Sequence, residues 1–72
     1  MATLKFLGFL EDMVKTKEMV ISIQKSQKLR DLLPVKFPEE RVIVLINMKG
    51  AGFDSPVHND DTVLILPFIS GG

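Results

Sequence analysis

Few side chains in this sequence can carry chemistry on their own. There is one histidine, His58, and there is no cysteine, tryptophan or tyrosine. Without cysteine there is no disulfide scaffold, no thiolate nucleophile, no persulfide-bearing side chain and no cysteine-rich zinc or iron–sulfur site. His58 lies in a polar stretch with no second ligand beside it, so it reads as a structural or solvated residue rather than a metal ligand or catalytic base. Asp60 and Asp61 are adjacent carboxylates, a pairing that acid–base catalysis uses. Placed just before an apolar run, they read more simply as an acidic turn, with Asp61 also able to meet a basic partner surface. Glu39 and Glu40 read as solvated loop. Met1, Met13, Met19 and Met48 have no helical spacing that would form a groove, and Met19 fits a core position.

The remaining reactive group is the carboxylate that follows Gly71 and Gly72. Two glycines at a chain end can be frayed residues that carry no structure. They can also form a slender arm that reaches into another protein's active site, since glycine allows close backbone approach and a nucleophile meets no Cβ at the carbonyl. The residues by themselves leave both readings open.

The elements that would position such an arm follow from the hydropathy pattern. Residues 3–10 read as a first strand, with Leu4, Phe6 and Leu10 on one face and Lys5, Leu7 and Phe9 on the other. The polar stretch from Glu11 to Lys17 reads as a hairpin connection to a second strand, Glu18 to Gln24, where Met19, Ile21 and Ile23 alternate with Val20, Ser22 and Gln24. Ser26 is the expected N-cap of a short helix whose Leu29, Leu32 and Leu33 form one stripe. Pro34 ends that helix, and Val35 to Arg41 forms a crossing loop broken again at Pro38. Val42 to Ile46 is a continuous apolar run, the pattern of a strand covered on both faces. Residues 50–60 read as loop with a short strand near Phe53, and Thr62 to Leu66 as the last strand. The expected architecture is α+β: one short helix across a mixed sheet of four to five strands. If the first and last strands lie side by side as a central pair, their apolar character on two faces follows.

Composition limits the function classes. The 72 residues, 46% of them hydrophobic, carry nine Lys+Arg and nine Asp+Glu. That is one small domain, of a size that buries only about 60% of its unfolded surface. The lysines are scattered from Lys5 to Lys49 on a chain of zero net charge, which argues against the clustered positive surface that nucleic acid requires. No apolar run approaches the roughly 20 residues that span a bilayer, and no basic segment with an apolar core opens the chain, so a cytoplasmic location is expected.

Three stretches carry a resemblance: Phe53-Asp54-Ser55-Pro56, then Asn59-Asp60-Asp61-Thr62-Val63, then Leu66-Pro67-Phe68-Ile69-Ser70-Gly71-Gly72. With the opening Lys5-Phe6-Leu7-Gly8-Phe9-Leu10-Glu11, they resemble the MoaD/ThiS family of ubiquitin-like sulfur carriers over nearly the full chain. The branch that looks closer is MoaD, the small subunit of molybdopterin synthase. The family's acidic turn usually has a glycine between acidic positions, where this chain has Asp60. Thiamin-type members commonly have an Asn-Gly turn, where this chain has Asn47-Met48.

The resemblance implies a β-grasp domain over residues 1–66 and a C-terminal tail over residues 67–72. It implies that an E1-like adenylating enzyme (MoeB/ThiF type) consumes ATP to activate the Gly72 carboxylate, and that a sulfurtransferase is the indirect source of sulfur for a thiocarboxylate. Pro67, Phe68, Ile69, Ser70 and Gly71 would form the arm that delivers this sulfur inside the large subunit of molybdopterin synthase (MoaE type), in molybdenum or tungsten cofactor biosynthesis. No bound cofactor, no metal and no catalytic side chain of its own is implied. Leu7 and Leu66, on the sheet face away from the helix, would dock the partner, though they read equally well as core. Three other readings remain: a carrier for thiamin or tRNA thiolation, a modifier joined through Gly72 to lysines of other proteins, and a β-grasp module that binds without covalent chemistry.

Overall fold

The run Val42–Ile46 forms β4 as its sequence predicts, and its neighbours set the architecture. The computed structural model describes residues 1–68. In chain order the elements are β1 (Ala2–Phe6), α1 (Phe9–Val14), β2 (Glu18–Ile21), β3 (Gln27–Lys28), α2 (Leu29–Leu32), a 3-10 turn (Glu39–Arg41), β4, β5 (Lys49–Ala51), β6 (Pro56–Val57) and β7 (Thr62–Pro67). Five strands make one sheet in the order β2-β1-β7-β4-β5, and β3 pairs with β6 in a separate ribbon. β1 and β7 are parallel neighbours, and every other pairing is antiparallel. The first and last strands therefore lie side by side, with β7 at the centre. This is the ubiquitin-like β-grasp arrangement.

The register sorts the side chains into two faces. Leu4 lies opposite Val63 and Phe6 opposite Ile65 across β1 and β7, and Val44 meets Ile65 from β4. These residues and Ala2 are buried, under Leu10 of α1, Leu29 of α2, Val57 of β6 and Ile23, Phe37 and Phe53 from the connections. Phe37 stands between Phe6 and Phe53, at ring-centroid distances of 6.1 and 6.5 Å.

The structure departs from the sequence expectations in four places besides the end of β2, which comes at Ile21 where Gln24 is expected. The first strand stops at Phe6, because Gly8 turns the chain at φ +59° and residues 9–14 form α1 instead of a hairpin connection. Leu10 does reach the core, but from a helix. Lys15, in the left-handed conformation, closes that helix by donating its N–H to Glu11 O. Second, α2 starts at Leu29 with Lys28, not Ser26, at its N-cap. Ser55 O and Phe53 O accept from the N–H groups of Leu29 and Arg30, so a hydroxyl cap is not needed. Third, the segment expected to be loop with at most a short strand near Phe53 carries β5 and β6 on either side of that residue, and Phe53 packs in the core. Fourth, β4 is interior to the sheet but covered on one face only: Ile43 and Leu45 are half-buried on the other.

Candidate docking face and tail root

The uncovered face of the sheet is apolar along its centre. Ile43 lies opposite Leu66 and Leu45 opposite Leu64, so β4 and β7 present four aliphatic residues there, each partly exposed. Leu7, immediately after β1, is 45% exposed. It borders a hollow shared with Lys5, Lys17, Glu18 and Leu64. Lys5 and Glu18 stand opposite each other on β1 and β2 and supply a charged margin. The structure thus leaves Leu7 on the surface and Leu66 half-covered, on the face away from α2. An aliphatic patch with a charged margin on a small protein is the usual form of a contact surface.

One end of β7 adjoins the exposed Leu7. Leu7 N–H donates to Ile65 O at 3.0 Å, Pro67 pairs with Val42, and Phe68 N–H donates to Arg41 O at 2.7 Å. Phe68 is 53% exposed. Strand pairing therefore extends through Pro67. Ile69, Ser70, Gly71 and Gly72 lie outside the described residues.

The other end of β7 is held by a polar network. Asn47 N–H donates to Thr62 O at 2.8 Å, and Thr62 N–H donates to Asn47 Oδ1 at 3.0 Å. The Asn47 amide then donates to Asp61 Oδ1 at 2.8 Å, and the His58 backbone N–H to Asp61 Oδ2 at 2.8 Å. These bonds to the ionised form, led by the one from the His58 backbone, hold the Asp61 carboxyl below its ordinary range. The Asp61 side chain is only 16% exposed, so both its oxygens serve the turn. Asp60 is the outward acid, with its side chain 88% exposed. Its φ of +72° is the left-handed conformation that glycine adopts freely and Asp tolerates better than most residues.

The β4–β5 hairpin turns through Asn47 and Met48 at φ +52° and +69°, the sign pattern of a type I′ turn. On the helix side, Arg30 donates to Asp54 at 2.6 Å and to Glu39 at 2.8 and 3.3 Å. Glu39 therefore braces the 3-10 turn rather than standing as free loop. Arg30 holds the Asp54 carboxyl below its usual range. The imidazole of His58 is exposed, with Nδ1 3.6 Å from Asp61 Oδ2. Among the described residues no cluster of side chains suits a metal ion, and no helix is long and apolar enough to cross a membrane.

Sequence reasoning passed over three participants. Gly8 belongs to the opening motif but gave no sign of touching Pro67. Asn47 looked like a hairpin residue and is also the partner of the Asp61 turn. Arg41 contributes a backbone carbonyl, which no side-chain pattern reveals.

Comparison with known proteins agrees with this geometry. The crystal structure of SAMP1 from Haloferax volcanii superposes with a TM-score of 0.72 at 15% identity, covering 99% of this chain and 98% of that one. A putative molybdopterin converting factor, subunit 1, from Pyrococcus furiosus gives a TM-score of 0.70 at 15% identity over 94% and 97% of the two chains. The small archaeal modifier protein 1 of Methanosarcina acetivorans gives 0.65 at 19% identity over 99% and 95%. At these identities the likeness establishes the fold. A search of curated proteins found no match. The model of the ThiS family matches residues 4–72, nearly the whole sequence, and the chain belongs to that family.

Proposed function

We propose that this protein is a sulfur carrier whose Gly72 carboxylate is adenylated and then converted to a thiocarboxylate, and that it serves as the small subunit of a molybdopterin synthase. The observation that carries the reading is the family match running through Gly72. The open apolar face beside the root of the arm supports it.

A free carboxylate is a poor electrophile, because its charge repels nucleophiles and its leaving group would be oxide. Attack of the carboxylate oxygen on the α-phosphorus of ATP releases pyrophosphate and leaves an acyl-adenylate. A persulfide sulfur then displaces AMP to give an acyl disulfide. A second thiol takes the outer sulfur, forming a disulfide and releasing the thiocarboxylate. Each step uses groups on the activating enzyme and the sulfur donor, and this chain contributes only its terminal carbonyl. Leu7 and Leu66 dock the adenylating enzyme and the synthase's large subunit in turn. Asp61 acts at one remove, by fixing the turn from which β7 starts.

A second reading has a specific basis. The fold is shared with proteins named as modifiers as well as with one named as a molybdopterin converting factor subunit. The same adenylate could pass to lysines of other proteins. Incubation with the cognate adenylating enzyme, ATP and a sulfur donor, followed by intact-mass measurement, separates the two. Exchange of one oxygen for sulfur is expected. An adduct on another protein's lysine would favour the modifier, and an unchanged mass under both conditions would defeat both readings.

A further inference from the structure

The β1–α1 turn meets the last strand at Leu7, whose N–H donates to Ile65 O, and again at Gly8. Gly8 has φ +59° and ψ −139°, a combination that L-residues avoid. A Cβ built on Gly8 would lie 2.8 Å from Pro67 Cγ and 3.3 Å from Pro67 Cδ. The proline ring is fused to the backbone and cannot swing aside, so the clash would be relieved only by moving the strand or the turn. On the other flank, the Phe68 N–H is bonded to Arg41 O. Pro67 has no N–H with which to hold itself in a ladder. The end of β7 is therefore gripped between the Gly8 turn and the segment that leads into β4.

We infer that Gly8 is a positioning residue for the C-terminal arm: by letting the β1–α1 turn close on Pro67, it fixes the direction in which the arm leaves the sheet. This rests on the reading of Gly72 as the reacting end. The four residues beyond Phe68 span about 14 Å at most. Misplacement of reacting groups by ~1 Å can already cost ~100-fold in rate. Leu7 and Leu66 adjoin this contact, so a displaced docking face would register in KM, whereas a redirected arm registers in kcat.

The test compares three full-length chains made by chemical synthesis: wild type, Gly8→Ala, and Gly8→D-Ala. A D-residue accepts the observed dihedrals, which mirror the extended region of L-residues, and its methyl does not occupy the position that meets Pro67. Two quantities are measured: amide exchange of Phe68 relative to Val44 and Ile65, and steady-state adenylation by the cognate enzyme with ATP. For Gly8→Ala, Phe68 should lose protection beyond any change at Val44 and Ile65, and kcat should fall about tenfold at near-constant KM. D-alanine should rescue both. The proposal is overturned if Gly8→Ala keeps the Phe68 protection, if protection falls without kcat, or if D-alanine is as damaging as L-alanine. If the wild-type chain is not adenylated, the functional reading fails, and relative Phe68 protection alone decides whether Gly8 holds the root.

Discussion

The two ends of β7 are held by different means. At its start, Asn47, Asp61 and the backbone of His58 and Thr62 form a hydrogen-bonded knot that leaves the Asp61 carboxylate little contact with water. At its exit, Leu7, Gly8, Leu66, Pro67 and Phe68 carry no polar side chain at all, and packing and backbone bonds do the holding. Directional bonds suit the end that must fix register, because each one fails if the strand slips by a residue. An aliphatic centre suits the end where a partner would sit, because covering it strands no side-chain hydrogen-bonding group and leaves the charges of Lys5 and Glu18 at the margin.

The sharpest way to break this contrast is to place charge at the exit. Leu7→Asp or Leu66→Asp should weaken binding of the adenylating enzyme by roughly 100-fold, as loss of a central contact does, while the domain stays folded. Isothermal titration beside a thermal melt measures both, and unfolding would instead assign these leucines to the core. Asp61→Ala should do the opposite: with the Asn47 amide and His58 N–H left unpaired, the domain should lose about 1–3 kcal/mol. Adenylation at low temperature should be unchanged, and a binding defect without a stability defect would move Asp61 into the contact surface.

The same carboxylate predicts an acid dependence. Its folded-state pKa is depressed, so its contribution is present in full above the ordinary Asp range and is lost as pH falls through the lowered value, that is below about pH 4. Urea unfolding at neutral and acid pH should show a smaller loss in Asp61→Asn than in the wild type. Smallest is Met48→Gly. The exposed Met48 sits at φ +69°, where glycine fits a type I′ turn, and a gain of about 0.5 kcal/mol is expected in the melt.

What was legible in the sequence were the elements whose pattern is local and long. Five consecutive aliphatic residues sufficed for β4, and the alternation of Met19 and Ile21 placed one side of β2, although Ile23 reaches the core from beyond the strand's end. α1 escaped because six residues show less than two turns of helical period, although Leu10 with Val14 and Phe9 with Met13 keep i, i+4 spacing. Ser26 misled for a related reason: the Leu29 N–H that it would have capped is taken by Ser55 O, 26 positions away. The glycine that family members carry between the acidic positions found its explanation only in the φ of Asp60. The candidate face could be listed as Leu7 and Leu66, yet Ile43, Leu45 and Leu64 join it only through the register of β4 on β7.

That central placement of β7 has a consequence for how the molecule comes into being. Thr3 pairs with Thr62 and Phe6 with Ile65, so the earliest strand waits for the latest before its sheet can close, a long-range pairing that makes folding slow. A chain cut before Thr62 would leave β1 and β4 with unpaired facing edges and their core residues uncovered. The docking face and the arm's root are thus one strand's work: any domain able to present the face has also built the strand from which its arm departs.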